Sequence, residues 1–250
     1  MKKTKIDWCD STWNPVTGCF HGCEYCYART IANRFKSGYK EDSEKSIHYI
    51  KDRETRLTKS GRIAAAPFPY GFEPTFHEYR LNDIHKPGYG NNVFVCSTAD
   101  LFGAWVPDEW IEKVFDACID GKRYLFLTKN PRRYLHLAEK GKLPAKKNFW
   151  YGTTVTKPEL PFFYARDYNT FVSIEPIQKK FRASDFNTDK KVDWVIVGAE
   201  TGNRKEKVVP EKKWIEDMVS ELKEKRGIPI FMKESLRPIM GDALVQQFPW

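Results

Sequence analysis

The chain has 250 residues, of which 41% are hydrophobic and 15% aromatic, and its formal net charge is +9. This length and apolar content suit a globular protein with a full core, either one barrel-sized domain or two small ones. No apolar run approaches the roughly 18 residues of a transmembrane helix, and the basic start MKKTKIDW lacks the apolar stretch of a signal peptide. The sequence therefore predicts a cytoplasmic protein with no membrane span and with reduced cysteines.

Short apolar segments alternate with helical patterns along most of the chain. Strands are expected at 13–18, at 74–80, at Val93–Cys96 within 91–102, from Arg123 to Thr128-Lys129, and at 148–156, 170–177, 192–202 and 228–235. Helices are expected at 27–36, from Pro107, at 131–140, at 158–167 and from Pro210 to Gly227. Residues 37–74 are expected to form an inserted loop or lid, and residues 236–250 a short tail that packs across the barrel.

Strands that are apolar on both faces and separated by crossover helices indicate a parallel sheet. The number of segments and the chain length fit a parallel, TIM-like (β/α) barrel of the α/β class, either a complete (β/α)8 or a partial (β/α)6 barrel. Neither an internal repeat nor a domain break is visible, so residues 1–250 are predicted to form a single domain.

Three of the six cysteines, Cys19, Cys23 and Cys26, have the spacing C-x3-C-x2-C within WNPVTGCFHGCEYCYA. Four thiolates normally complete an iron–sulfur cluster, whereas three leave one iron open for chemistry. A zinc site with His21 or a distant residue as its fourth ligand, and cysteines that bind no metal, are the alternatives. Zinc knuckles usually have two separated ligand pairs, and the scattered remaining cysteines do not suit a disulfide framework. The spacing therefore favours a cluster.

Polar residues follow the predicted strands at their carboxyl ends, where parallel barrels carry their chemistry. This rim consists of Cys96, Ser97, Thr98, Asp100, Thr128, Lys129, Arg132, Thr153, Thr154, Ser173, Glu175, Glu200, Asn203, Lys233 and Glu234. Ordinary loop polarity explains any one of them alone. Together they form a mixed-charge rim that could hold a zwitterionic nucleoside cofactor.

Residues 121–147 contain nine basic side chains and one acidic side chain, a net charge of +8. The basic residues are Lys122, Arg123, Lys129, Arg132, Arg133, Lys140, Lys142, Lys146 and Lys147. Such a segment predicts a phosphate-rich partner, with Lys122, Arg132 and Arg133 as candidate nucleic-acid contacts. A solvated surface is the alternative.

The cysteine spacing, followed by the aromatic Tyr27, resembles the signature of the radical S-adenosylmethionine (SAM) superfamily. The resemblance implies a complete or partial barrel, with a [4Fe-4S] cluster held by Cys19, Cys23 and Cys26. It further implies that SAM chelates the open iron and is reductively cleaved to methionine and a 5′-deoxyadenosyl radical. The electron would come from a flavodoxin- or ferredoxin-type donor. Over its full length the chain is similar to a phage- and bacteria-borne family of three-cysteine, radical-SAM-like proteins.

Two strand ends are similar to those of spore photoproduct lyases, radical SAM enzymes of DNA repair. They read Cys96-Ser97-Thr98-Ala99-Asp100 and Thr128-Lys129. The similarity implies that Cys96 is a catalytic hydrogen donor and that Ser97 and Lys129 bind SAM, with Lys129 on its carboxylate. For Cys96, a small buried apolar residue is the alternative. The Gly-Gly-Glu run that binds the SAM amino group in many members is missing.

The expected function is that of a radical SAM enzyme, a lyase or a modifying enzyme, which acts on a nucleic acid or nucleotide in repair or base modification. One alternative is a radical SAM enzyme that acts on a peptide or small metabolite. Peptide-modifying relatives usually carry a second cluster near the C-terminus, and no cysteine follows Cys118. The other alternative is a non-enzymatic zinc or iron–sulfur protein that binds nucleic acid.

Overall fold

A computed structural model describes residues 4–36, 39, 44–58, 60–186 and 192–250 of the chain. Contacts divide the chain into two compact units. The first unit contains Cys9–Tyr124, and the second contains Leu125–Trp250 together with Lys5–Trp8. Within the described ranges, no helix has the length and apolar character needed to cross a membrane.

The fold is of the α/β class. Its strands are β1 (Ser11–Trp13), β2 (Val16–Thr17), β3 (His48–Ile50), β4 (Thr55–Leu57), β5 (Ile63–Ala65), β6 (Thr75–His77), β7 (Asn92–Val95), β8 (Arg123–Thr128), β9 (Phe149–Thr154), β10 (Asn169–Ile174), β11 (Trp194–Val197) and β12 (Ile230–Met232). Its α-helices are α1 (Tyr27–Phe35), α2 (Asp108–Asp116), α3 (Pro131–Glu139), α4 (Lys212–Val219) and α5 (Arg237–Met240). A π-helical turn, Ser220–Glu224, extends α4, and 3-10 turns cover Glu78–His85, Ala183–Phe186, Glu234–Leu236 and Gly241–Ala243.

The main sheet has seven strands in the order β1-β7-β8-β9-β10-β11-β12. The pairs β1–β7, β9–β10, β10–β11 and β11–β12 are all parallel. An α/β fold with a parallel sheet is therefore confirmed. The parallel direction of the strands also explains where functional residues are expected, because the carboxyl ends of parallel strands lie at the same edge of the sheet.

In the second unit, alternate residues of β10, β11 and β12 point to opposite faces of the sheet. Val172 and Ile174 lie in one apolar cluster with Ile215 and Met218 of α4; we call this side the helix face. On the other side, Phe171 and Trp194 contact each other with ring centroids 5.6 Å apart. Trp8 packs against both rings, 6.2 Å from Phe171 and 6.3 Å from Trp194. We call this second side the aromatic face.

The predicted insertion at 37–74 contains regular structure and is not simply a loop. Strand β3 pairs in parallel with β6, β6 pairs in antiparallel with β2, and β4 and β5 form a separate antiparallel hairpin. Positions 37–38, 40–43 and 59 lie outside the described residues. Each of these strands has only two or three residues, which is too short for the sequence pattern to identify.

Two predicted strands of the main sheet differ in the structure. The segment 13–18 divides into β1 and β2, which belong to different sheets, because Pro15 lies between them and cannot donate a ladder hydrogen bond. The segment 74–80 forms only β6, which joins the small sheet with β2 and β3 and then continues as a 3-10 turn. Within the described ranges, the main sheet accordingly contains seven strands and not the eight expected.

The prediction of a helix at 158–167 is wrong. These residues form turns and extended chain between β9 and β10. Pro158 and Pro161 account for the error, since proline disfavours helical geometry in the residue before it and removes a donor. The C-terminal tail runs along β12: Met232 donates its N–H to the Val245 carbonyl at 2.7 Å, and Gln247 donates to Ile230 at 2.9 Å.

Candidate functional site

The cysteine loop, residues 18–26, connects β2 with α1 in the first unit. Gly18 opens it with a left-handed φ of +82°, and a Cβ there would lie 2.1 Å from the Glu73 carbonyl oxygen. The Gly18 N–H donates to the Thr98 carbonyl at 3.0 Å, and Cys19 donates to the Phe72 carbonyl at 3.0 Å. Glycine is therefore required where the loop passes between two other segments.

All three motif cysteines are free thiols of intermediate exposure in this loop. The Cys19 sulfur accepts the His21 N–H at 3.5 Å. The Cys26 sulfur caps α1 by accepting the Arg29 N–H at 3.4 Å. Reduced thiols with N–H bonds to their sulfurs are the donor chemistry that iron–sulfur clusters use. The free thiols and the N–H groups bonded to them therefore suit the iron–sulfur cluster that the cysteine spacing predicts.

The Cys19 thiolate is electrostatically unfavourable without a cation. Burial raises the pKa of Cys19 to about 12; the negative charges of Asp100, Cys23 and Cys26 act in the same direction, and the hydrogen bond from the His21 N–H acts against them. Metal binding to thiols requires deprotonation, which the metal's own charge compensates. Among the residues that the structure describes, no group of three or more His, Cys, Asp and Glu side chains is arranged so that it could hold a metal ion.

His21 joins the cysteine loop to the loop that follows β7, residues 96–103, which we call the β7 loop. The His21 Nε2 and Asp100 Oδ2 atoms are 2.7 Å apart, and the Asp100 Oδ1 atom accepts the Phe102 N–H at 3.0 Å. The Trp105 ring packs edge-on against His21 at 4.8 Å and against Phe20 at 5.4 Å. Asp100, predicted as a cofactor ligand, therefore supports the cysteine loop.

Asn14 organises the β7 loop from the opposite side. Its Oδ1 atom accepts hydrogen bonds from the Ser97 hydroxyl at 3.1 Å, the Thr98 N–H at 3.2 Å and the Thr98 hydroxyl at 3.3 Å. The Tyr27 hydroxyl donates to the Ser97 carbonyl at 2.6 Å. The predicted cofactor residue Ser97 thus lies beside the cysteine loop, with its hydroxyl already engaged by Asn14.

Cys96 has the one positive φ, +58°, among the described non-glycine residues. It is buried at the end of β7, and its N–H donates to the Trp13 carbonyl at 2.7 Å. Burial raises the pKa of Cys96 to about 12, so the thiol keeps its hydrogen at neutral pH. Left-handed backbone in a residue with a Cβ is strained, and such strain concentrates at functional sites.

The predicted residues of the second unit fall on different faces of the sheet. Thr153 accepts the Phe163 N–H at 3.0 Å and is aligned with Val172, which is on the helix face. Ser173 and its neighbour Thr154 lie on the aromatic face. The Glu175 carboxylate is paired with the Lys233 ammonium. Ser173 and Glu175 are therefore brought together, whereas Thr153 is not with them.

The basic candidates lie at different positions along their elements. Lys129 directly follows β8, at its carboxyl end. Lys122 directly precedes β8, and its ammonium donates to the carbonyls of Tyr89 at 3.0 Å and Gly90 at 3.2 Å. Arg132 and Arg133 are in the first turn of α3, where Arg132 is exposed. The structure places only the last two on the helix that follows β8.

Sequence reasoning missed two features that join the two loops: the role of Asn14, and the contact of His21 with Asp100. Their contacts span 79 to 84 positions of sequence in the cases of His21 and Asn14. Asn14 stands inside the WNPVTGC motif, so the motif itself carried the signal. Without a spatial partner, that signal could not be assigned to a role.

The fold and this pair of loops define an α/β protein with a parallel sheet and a cysteine-rich loop at the end of its first strands. The chain belongs to the family described as "Protein of unknown function (DUF5131)", whose model matches residues 3–236. No curated protein and no solved structure is detectably similar to it.

Proposed function

We propose that the protein is a radical SAM enzyme that acts on a nucleic acid or nucleotide. The proposal includes a partial barrel of the radical SAM type, a [4Fe-4S] cluster on Cys19, Cys23 and Cys26, and SAM as the cofactor. The observation that carries it is the placement of the three reduced cysteines in one loop, which is hydrogen-bonded to the carboxyl end of β7. Active sites of parallel (β/α) barrels lie at the carboxyl ends of the strands.

The chain's own residues would hold and orient this site. When bound, the cluster would supply the electron that cleaves SAM and begins radical chemistry. Asn14 and the His21–Asp100 contact fix the two loops against each other. Cys96, buried and protonated, is the proposed hydrogen donor, since a donor must retain its S–H bond. Ser97 is the proposed SAM contact in the first unit, and Lys129 is the proposed SAM contact in the second unit.

The substrate part of the proposal rests on charge. Residues 121–147 carry a net charge of +8, and Arg132 is exposed at the start of α3. Cationic side chains beside the positive end of a helix favour phosphate. We therefore propose repair or modification of a base as the reaction class. A flavodoxin- or ferredoxin-type electron donor and a cytoplasmic location complete the proposal.

A zinc site is the second candidate, and one contact favours it. His21 lies between Cys19 and Cys23 in sequence, and its Nε2 atom is paired with the Asp100 carboxylate. Zinc-binding histidines characteristically use their second nitrogen in this way. With Nδ1 as a fourth ligand, the loop would bind zinc as Cys3His and the protein would bind nucleic acid without catalysis.

Metal and product analysis separates these functions. The protein is purified and reconstituted anaerobically, its iron, sulfide and zinc are measured, and SAM cleavage to 5′-deoxyadenosine is followed after reduction. DNA, RNA, nucleotides and peptides are added in parallel. We expect iron with sulfide, and cleavage stimulated by nucleic acid or nucleotide. Zinc without iron after reconstitution would favour the second candidate.

Alanine substitutions test the ligand assignment. We expect Cys19→Ala, Cys23→Ala and Cys26→Ala each to abolish SAM cleavage and to lower iron content. Cys118→Ala is the matched control, since its thiol donates to the Val114 carbonyl within the α2 region at 3.3 Å. It should retain both iron and activity. Full activity in Cys23→Ala would refute the assignment.

A further inference from the structure

The β4–β5 hairpin stands outside the apolar core of the first unit. Together with the residues that precede it, the hairpin forms a segment, residues 51–65, that we call the hairpin arm; none of its described residues is buried. Strands β4 and β5 form a two-stranded sheet of their own. Backbone bonds extend this ladder at both ends, from the Ala66 N–H to the Glu54 carbonyl at 2.9 Å and from the Thr58 N–H to the Arg62 carbonyl at 2.8 Å. The arm is therefore a regular, hydrogen-bonded ribbon whose side chains reach solvent.

One face of the hairpin arm is largely apolar. In the strand register, Leu57 lies directly opposite Ile63, and Thr55 lies opposite Ala65. Side chains alternate along a strand, so these four residues share one face, and all four are exposed. Leu57 is 72% exposed and Ile63 is 76% exposed, the highest values for large hydrophobic side chains among the described residues. Single exposed apolar residues are ordinary, but a matched pair on an arm outside the core indicates contact with a partner.

The hairpin arm is also basic, which restricts the chemistry of that partner. Residues 51–62 carry five basic and two acidic side chains, a net charge of +3. Among them, Lys51, Arg53 and Arg62 are exposed, and Arg56 is half-buried. Cations that are pressed against an uncharged apolar surface lose their hydration without gaining a counter-charge. A positively charged ribbon therefore favours a polyanion over an apolar protein surface.

The shape of the hairpin arm favours duplex DNA among the polyanions. Two-stranded ribbons bind in the grooves of DNA. Proteins that bind the minor groove often insert leucine, isoleucine or similar side chains between base steps, which unstacks and kinks the duplex. RNA duplexes present a wide, shallow minor groove and are recognised mainly by shape and by their 2′-hydroxyls. Leu57 is the last residue of β4 and Ile63 is the first residue of β5, so both lie next to the tip, where insertion requires them.

We propose that the hairpin arm binds duplex DNA from the minor groove, with Leu57 and Ile63 inserted into the base stack. Arg53, Arg56 and Arg62 contact the phosphates on either side. Unstacking a base step lowers the cost of extruding a base, a step that any enzyme acting on a base within a duplex requires. The inference rests on the nucleic-acid part of the proposed function, but on neither the cluster nor SAM. The arm belongs to the first unit, so this contact is additional to that of the basic residues in the second unit.

Fluorescent DNA tests insertion and binding separately. The full chain is titrated into a short duplex that carries 2-aminopurine in one central pyrimidine–purine step, the kind of step that kinks most easily. The fluorescence of 2-aminopurine rises when the base is unstacked, and energy transfer between dyes on the two DNA ends reports bending. We expect the wild type to increase the 2-aminopurine fluorescence and to bring the two ends closer together.

Variants of exposed residues assign these signals to the hairpin arm. Leu57→Ser combined with Ile63→Ser should abolish both signals yet weaken binding by less than about tenfold, since phosphate contacts supply much of the affinity. Arg53→Gln combined with Arg62→Gln should lower the affinity and reduce its salt slope by about 2, one for each lost phosphate contact. Val209→Ser is the matched control, because Val209 is 68% exposed and belongs to the second unit. It should leave affinity and both signals unchanged.

The possible outcomes separate the hairpin arm from the proposed function. DNA binding by the wild type without a fluorescence change, or the same change in the Leu57–Ile63 double variant, would overturn the inference and leave the nucleic-acid substrate intact. If the double substitution instead abolished dimerisation or binding to phosphatidylserine vesicles, with the DNA signals unaltered, the pair would serve a second copy or a membrane. Insertion into DNA without formation of 5′-deoxyadenosine would support the arm and contradict the radical chemistry. A wild type that bound no DNA would contradict both the arm and the nucleic-acid substrate.

Discussion

At the residue scale, Gly18 lies very close to the backbone of another segment of the first unit. We expect Gly18→Ala to destabilise the protein strongly, because the new Cβ would lie 2.1 Å from the Glu73 carbonyl oxygen and φ is +82°. Gly121→Ala is the matched control: its φ is +77°, but nothing lies within 4 Å. The control variant should lose about 1–2 kcal/mol of unfolding free energy, because its only penalty is the left-handed backbone strain of alanine. Urea unfolding measures both, and equal losses would contradict the proposed close contact.

Asn14 offers a second test at this scale. Asn14→Ala removes the acceptor of three hydrogen bonds from Ser97 and Thr98, so we expect a loss of about 1–3 kcal/mol in unfolding free energy. Asn14→Asp keeps an oxygen in the same place and should retain most of the stability. If alanine and aspartate variants unfold at the same urea concentration, the contacts do not stabilise the β7 loop.

His77 should make stability depend on pH. It is buried, its Nε2 atom lies 2.8 Å from the Thr17 hydroxyl, and burial lowers its pKa from 6.5 to about 2. The unfolded chain therefore binds the proton more readily than the folded chain. The contribution of neutral His77 to the unfolding free energy is complete above pH 6.5 and is lost as pH falls toward 2. The slope approaches about 1.4 kcal/mol per pH unit.

The His77 contribution is measured as the difference between two proteins. Unfolding free energies of the wild type and of His77→Gln are compared between pH 7.5 and pH 5. We expect the wild type to lose more stability over this range than the variant, which cannot gain a proton at this position. Parallel pH profiles would show that His77 titrates normally in the folded protein.

Single residues also show how far the sequence could predict the site. The cysteine spacing is local, so all three thiols necessarily fall in one loop, but within the described residues they are not arranged as a metal-binding group. Thr153 and Thr154 are adjacent, yet only Thr154 shares a face with Ser173. Which of two neighbours points to a given face depends on the strand register, and the sequence of one strand does not define its register with the next.

At the scale of elements, long apolar strands were predictable and short ones were not. Strands β8 to β12 follow the expected segments because each is flanked by turn signals and buried on both faces. Strands β2 to β6 have two or three residues each, and tertiary pairing determines them more than local preference does. The insertion was predicted as a loop for this reason.

The tail along β12 gives a prediction for an element. Removal of residues 245–250 deletes the backbone bonds at Met232 and Ile230 and the acceptor of the Trp194 indole N–H. We expect lower thermal stability and faster aggregation, because the β12 edge would then expose unpaired backbone groups. A variant that lacks only Trp250 keeps these bonds and serves as the control. Equal aggregation rates for the two would contradict the edge-covering role.

For the whole molecule, the net charge of +9 predicts salt-sensitive binding to nucleic acid. We expect the logarithm of DNA affinity to fall linearly with the logarithm of salt concentration. Arg132→Ala should reduce that slope by about 1, the value for one lost phosphate contact. Lys205→Ala, an exposed residue outside the basic segment, should leave the slope unchanged. Affinity independent of salt would exclude the predicted phosphate contacts.

The second unit includes a short segment, Lys5–Trp8, that is distant in sequence from the rest of the unit. Trp8 packs on Phe171 and Trp194, and Asp7 accepts the Glu234 N–H, across 227 positions of sequence in the latter case. During translation Asp7 and Trp8 are made well before the residues that they contact. Closure of so long a loop is slow relative to local folding. Trp8 can therefore reach its native contacts only after Phe171 and Trp194 have both left the ribosome.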